Sequence, residues 1–124
     1  MFYGKLDFPS LNKLYEQVRA IVCPSIVPEP LPYTISETIL KSRLIIASNS
    51  GGSLELGKGC KGAFFFESGN IKELAEKIEY VSALKKDTVN DLTAQSREFF
   101  LSNFNDDRVL HDFVSLCQDL ISAN

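Results

Sequence analysis

This sequence is short of basic charge, of long apolar runs and of clustered cysteine, and each shortage removes a class of function. Its 13 Lys and Arg stand against 16 Asp and Glu, a formal net charge of −3. A domain that grips nucleic acid through its phosphates carries a basic excess, so nucleic acid is not an expected partner. No apolar run is longer than Leu44–Ala47 or Ala63–Phe66, far below the roughly 20 residues of a membrane-spanning helix. The start, Met1-Phe2-Tyr3-Gly4-Lys5, has no charged lead followed by an apolar run, so no export signal is expected. Cys23, Cys60 and Cys117 are odd in number, widely spaced and form no C-x-x-C pair. They fit reduced thiols, a cytoplasmic location and no metal site. His111 is the single histidine and falls outside the apolar stripe of its helix, so it reads as solvent-facing rather than catalytic. There is no internal repeat and no low-complexity segment.

What is present is an ordinary globular balance, 44% hydrophobic and 23% charged over 124 residues. That length is one domain, residues 1–124, large enough to hold a core without staples. Four short runs, Phe2–Leu6, Ala20–Cys23, Leu44–Ala47 and Ala63–Phe66, read as strands buried on both faces. Between the first two, Leu11, Leu14, Tyr15 and Val18 make a one-sided helix over Ser10–Val18, with Ser10 as cap and Pro9 barring an earlier start. A proline-rich loop, Pro24–Pro32, precedes a helical segment over Thr34–Ser42. Strand, helix, strand, helix, strand implies a parallel sheet. Asn70 with Glu73 forms a capping box for a helix carrying Leu74, Ile78 and Val81. Further helices are predicted from about Thr88 and about Asp106. The fold class is therefore α/β: a Rossmann-like parallel sheet of about four strands with flanking helices, a core over residues 1–85 and C-terminal helices over 86–124.

Ligands of open parallel sheets bind beyond the carboxyl ends of the strands, so the loops after the apolar runs are the informative ones. The first holds four prolines and Glu29, and leads to a helix carrying Glu37 in its first turns. The start of that helix, near Tyr33–Ile35, offers free amides and a positive dipole end, an anion site suited to phosphate. The second loop contains Gly51-Gly52, which lets backbone approach closely. Carboxylates, free amides and a glycine turn on one rim suit a sugar nucleotide, whose hydroxyls donate to carboxylates and whose phosphates need amides.

The ordered set Pro24-Ser25, Glu29-Pro30-Leu31-Pro32, Glu37-Thr38, Leu44–Ser48, Gly51-Gly52-Ser53-Leu54-Glu55 and Gly69-Asn70 resembles the C-terminal, donor-binding lobe of GT-B fold retaining glycosyltransferases of family four, the glycosyl transferases group 1. The likeness runs from Phe2 to about Ile78. It implies transfer of a sugar from a nucleotide-sugar donor with retention and without a metal or other cofactor. It implies that Glu37 holds the ribose hydroxyls and Glu29 faces the hydroxyls of the transferred sugar. Backbone around Leu31, Tyr33 and Thr34 would meet the sugar and diphosphate, with the Gly51-Gly52 turn bordering the pocket.

The sequence departs from the pattern at Pro32 and Ser42, where the family usually has glycine, and at Leu44, usually proline. Pro32 has no N–H to give. Nothing here corresponds to an acceptor lobe or to the first two strands of the donor lobe. In the family's sheet order those strands lie between the counterparts of Phe2–Leu6 and Ala20–Cys23, so these two runs must pair directly or leave an edge open. An open edge predicts a homodimer, or a partner chain supplying the missing lobe. A non-catalytic interaction module is the alternative of another class. A generic nucleotide-binding domain with a chance pair of glutamates is a third reading, favoured if Glu29 and Glu37 face away from a common crevice. Other residues have plainer expectations: Cys23 a packed thiol, Cys60 inert though more exposed, Lys58 and Lys61 either solvated or drawn to a diphosphate, and Phe64–Phe66, Phe99, Phe100 and Phe104 packing residues.

Overall fold

A computed structural model describes residues 2–122. In chain order the elements are α1 Phe8–Gln17, β1 Ala20–Cys23, α2 Tyr33–Leu40, β2 Leu44–Ser48, α3 Gly52–Gly57, β3 Ala63–Phe66, α4 Ile71–Ala83, α5 Lys86–Asn103 and α6 Asp106–Ser122. The strands form one parallel sheet in the order β1-β2-β3. Ala20 pairs with Leu44 and Cys23 with Ala47, while Ile45 pairs with Ala63 and Ser48 with Phe66. Every residue of β2 is buried, as its unbroken apolar run requires. Its side chains alternate between two apolar layers. Ile45 and Ala47 pack with Ile35, Ile39, Leu56, Cys60 and Phe100. Leu44 and Ile46 pack with Phe66 and Val81, flanked by Leu74, Val89 and Leu92. Helix α5 therefore serves both layers, its first half on one face and Phe100 on the other. Full burial of each large aliphatic side chain in β2 contributes about 1.5–3 kcal/mol, which makes this strand the densest source of stability in the chain.

The sheet has three strands rather than the expected four, because Phe2–Leu6 is not a strand. Gly4 turns the backbone at φ +66°, and Asp7 starts a helix directly afterwards. Phe2 is 97% exposed: the left-handed Gly4 breaks the extended run, so it does not add to the open edge of β1. Helix α1 is also capped differently from expectation. The Asp7 carboxylate, not Ser10, is the cap, accepting from the Ser10 amide at 2.9 Å. This bond holds the Asp7 carboxyl below its usual range. Pro9 sits inside the first turn, where its missing N–H costs nothing. One arm of the expected capping box at α4 is present: the Asn70 side chain accepts from the Glu73 amide at 3.1 Å, while the Glu73 carboxylate accepts from the Asn70 side-chain amide at 3.0 Å and the Glu67 amide at 2.7 Å rather than from the Asn70 backbone. Cys60 departs from expectation in being buried, and burial pushes its thiol upward.

The turn after α2 explains one departure from the family pattern. The amides of Ser42 and Arg43 donate to the carbonyls of Ile39 and Thr38, both at 3.0 Å. This is a Schellman closure, which places Ser42 in the left-handed region at φ +54°. Arg43 then ties the turn to α1, its Nε donating to the Tyr15 carbonyl at 2.6 Å. On the opposite layer the Arg19 guanidinium closes the carboxyl end of α4, donating to the carbonyls of Ser82 at 2.8 Å and Leu84 at 2.9 Å.

Two stability predictions follow from these contacts. A left-handed serine costs about 1–2 kcal/mol, and glycine returns about 0.5–1 kcal/mol of that through its freer unfolded chain. Ser42→Gly should raise the melting temperature by a few degrees, read by thermal denaturation. Ser96, buried in α5, accepts from the Gly62 amide at 2.6 Å and donates to the Leu92 carbonyl at 2.7 Å. Ser96→Ala strands the Gly62 amide and should cost about 1–3 kcal/mol in urea unfolding.

Candidate functional site

Parallel strands bring their following loops to one edge, and here three such loops are fastened to one another. The Ser25 carbonyl, just past β1, accepts from the Ser48 hydroxyl at the end of β2 at 2.6 Å. It also accepts from the Ser68 hydroxyl beyond β3 at 3.4 Å. Asn49 bridges β2 and β3 again: its amide donates to the Phe66 carbonyl at 2.8 Å, and its side chain accepts from the Ser68 amide at 3.1 Å. The far part of the proline loop is held separately. The Gly52 amide donates to the Glu29 carbonyl at 2.8 Å.

That last contact explains the glycine pair. Gly51 stands at φ +54°, and a Cβ there would lie 2.5 Å from the Glu29 carbonyl oxygen. A Cβ on Gly52 would overlap the Pro30 carbonyl. Two glycines are thus the condition for the second loop to pack against the backbone of the first. Gly51-Gly52 is not merely a turn, as expected, but the entry to helix α3, with Gly51 as its cap residue and Gly52, Ser53, Leu56 and Gly57 buried.

Helix α2 begins at Tyr33 after Pro32, which supplies no side-chain cap. The Ile35 amide bonds to the Pro32 carbonyl at 3.0 Å. The amides of Tyr33 and Thr34 have no hydrogen-bond partner among the described residues. Leu31, Tyr33 and Thr34 are exposed, Tyr33 to 71%. The helix start thus presents unpaired donors to solvent at the edge where the loops meet, as a positive dipole end.

Glu29 and Glu37 are both exposed, and neither forms an ion pair among the described residues. Glu37 accepts from the Tyr15 hydroxyl at 3.4 Å. Burial pushes the Tyr15 hydroxyl upward; a Thr38 hydrogen bond opposes this and the Glu37 charge adds to it. Burial raises the Cys23 thiol, and the Glu29 charge raises it further. Cys23 in turn acts on Tyr15. Glu37 is thus in contact with Tyr15, while Glu29 acts on Cys23 through its charge. Cys23 remains a neutral packed thiol. Tyr15 is the participant that sequence reasoning missed; only its place on the buried stripe of α1 marked it, and that stripe says nothing of Glu37. Lys58 and Lys61 are exposed, and His111 is exposed on α6, 3.4 Å from Asp112. Among the described residues no cluster of three or more His, Cys, Asp or Glu is placed to hold a metal ion. No helix among them is long and apolar enough to cross a membrane. The assembled edge offers carboxylate acceptors for hydroxyl groups and amide donors for an anion.

Comparison with known proteins places this geometry in context. The sequence profile described as glycosyl transferases group 1 matches residues 1–99. Among curated proteins none matches the sequence significantly. The fold is similar to a glycosyltransferase from Rickettsia africae ESF-5, with a TM-score of 0.76 and 28% identity over 90% of this chain. It is similar to a sucrose-phosphate synthase from Thermosynechococcus elongatus, with a TM-score of 0.79 and 22% identity over 100% of this chain. It is also similar to Anabaena HepE, solved in complex with UDP-glucose, with a TM-score of 0.70 and 20% identity over 86% of this chain. The chain spans only 30%, 31% and 29% of these three proteins. With the family profile covering most of its length and its fold similar to those of solved glycosyltransferases, the chain belongs to the glycosyl transferases group 1 family and has the architecture of the C-terminal lobe of a GT-B glycosyltransferase.

Proposed function

We propose that the loops at the carboxyl edge of the sheet bind the nucleotide-sugar donor of a retaining glycosyl transfer, with the acceptor lobe supplied by polypeptide outside this chain. The observation that carries the reading is the bond from the Gly52 amide to the Glu29 carbonyl. It holds the glutamate loop and the glycine turn together beside the open start of α2. In this reading Glu37 accepts from the ribose hydroxyls and Glu29 from the hydroxyls of the transferred sugar. The backbone around Leu31 and the free amides of Tyr33 and Thr34 take the sugar and diphosphate, and Gly51 and Gly52 form the pocket wall. No metal or cofactor takes part, and the protein acts in the cytoplasm. The complex of HepE with UDP-glucose supports the ligand class by likeness of fold.

Pro32 adds no donor, which removes one possible hydrogen bond to the sugar. Transfer also needs donor and acceptor held in one geometry, which one lobe does not provide. The expected behaviour of the chain alone is donor binding without turnover. One observation favours the second reading, a non-catalytic interaction module: β1 has a strand neighbour on one side only, and its Val22 is 41% exposed.

Titration with UDP-, GDP- and ADP-sugars, followed by amide NMR shifts, decides between them. Saturable shifts in Glu29–Glu37 and Gly51–Gly52 are expected for at least one nucleotide. Glu37→Ala removes charged hydrogen bonds of about 1.5–3 kcal/mol and should weaken binding by roughly 10- to 100-fold. Glu16→Ala, away from the carboxyl edge, should leave it unchanged. Absence of shifts at millimolar sugar nucleotide would discard the donor reading in favour of the interaction module.

A further inference from the structure

Glu37 stands exposed on α2, one helical turn before Lys41. That is the spacing of a helical ion pair, yet none forms, and among the described residues Glu37 has no cationic partner. Lys41 turns instead to two aromatic rings of α1. Its Nζ lies 5.5 Å from the centre of the Tyr15 ring and 5.8 Å from that of Phe8, within reach of a cation–π contact. The partner that Glu37 does have is a neutral one, the Tyr15 hydroxyl, which donates to Oε2 at 3.4 Å. Tyr15 is itself firmly held. It is buried between the helices at 5% exposure. Its carbonyl accepts from Arg43 Nε at 2.6 Å, just past the end of α2. Packing asks only for the ring, which phenylalanine supplies as well; the hydroxyl is the part that reaches Glu37.

We propose that Tyr15 is a positioning residue for the ribose, its hydroxyl fixing the Glu37 carboxylate in the orientation that accepts two neighbouring hydroxyl groups. The inference rests on the donor reading above, in which Glu37 takes the ribose hydroxyls. A glutamate on an exposed helix face is free about several side-chain torsions, and stilling them opposes ligand binding. A bond to Oε2 made beforehand lowers that cost. It occupies one of about four acceptor positions of the carboxylate and leaves the others open. A lysine in the same place would restrain the group too, but would hold its charge in an ion pair. A neutral donor leaves the carboxylate ionised for charge-assisted bonds to the ligand. The consequence is selectivity: Tyr15 acts only on ligands that carry the ribose hydroxyls.

The test takes the tightest-binding of UDP-, GDP- and ADP-glucose and its 2′,3′-dideoxyribose analogue, titrated against the full chain and against Tyr15→Phe. Thermal denaturation checks that the variant keeps its packing. Tyr15→Phe should weaken the ribose-containing ligand roughly three- to tenfold and leave the dideoxy analogue unchanged. In a Glu37→Ala background the same substitution should cause no further loss, because the group it positions is gone. Equal weakening of both ligands would reveal a merely structural role and overturn the proposal. Full affinity of Tyr15→Phe for the ribose ligand overturns it as well, and so does an undiminished loss in the Glu37→Ala background. These three results leave the donor reading standing. Absence of binding by the unaltered chain removes that reading and this inference with it.

Discussion

The structure depends on one constraint: a parallel strand in the middle of a sheet must be covered on both faces. Leu44–Ser48 is that strand, and each of its five residues is buried. Parallel neighbours cannot be joined by a tight hairpin, so the chain must cross over through helices, and those helices become the cover. Ile35 and Ile39 come from the crossover before β2, Leu56 from the one after it. Those two crossovers cover the same face. The opposite face is left to α4 and the first half of α5, with Val81, Val89 and Leu92. The order of elements is thus a consequence of having one strand that no water may touch.

The same constraint builds the candidate site. Because the strands all run one way, the loops that leave them meet at one edge, and the polar atoms there must be satisfied among themselves. Ser48 ends β2 as a buried hydroxyl, and it finds the Ser25 carbonyl. Gly52 is buried too, and its amide finds the Glu29 carbonyl. These bonds are structural in origin, yet they determine where the exposed carboxylates and the free amides of α2 come to stand. The proline-rich loop has little freedom left once both of its ends are fastened. The loops of the candidate site are thus positioned by the needs of the core.

Much of this was legible in the sequence, for identifiable reasons. The strands β1, β2 and β3 are continuous apolar runs with turn residues at their ends, a pattern that depends on local sequence alone. Asn70 with Glu73 was legible because a capping box is a contact across three residues. Glu29, Glu37 and Gly51-Gly52 were legible only as an ordered set. Phe2–Leu6 was misleading because an apolar run becomes a strand only if its backbone stays extended along an edge, and here Gly4 turns out of the extended region although the β1 edge is open. The Tyr15 to Glu37 contact, 22 residues apart, and the bond of Ser96 to Gly62, 34 apart, carry no local pattern at all. Ser42 is intermediate: its departure from a usual glycine was visible, but the left-handed backbone that makes the departure costly was not.

Among the described residues the three-stranded sheet has two edge strands, β1 and β3. β1 is an edge, but only four residues long, with Arg19 before it and Pro24 after it. Arg19 is drawn away to the carbonyls at the end of α4. Pro24 has no N–H to extend a ladder. Outward-facing backbone on so short a strand comes to the groups of two residues, since alternate residues of a parallel strand bond to β2. Short length and a proline are how sheet edges are kept from pairing.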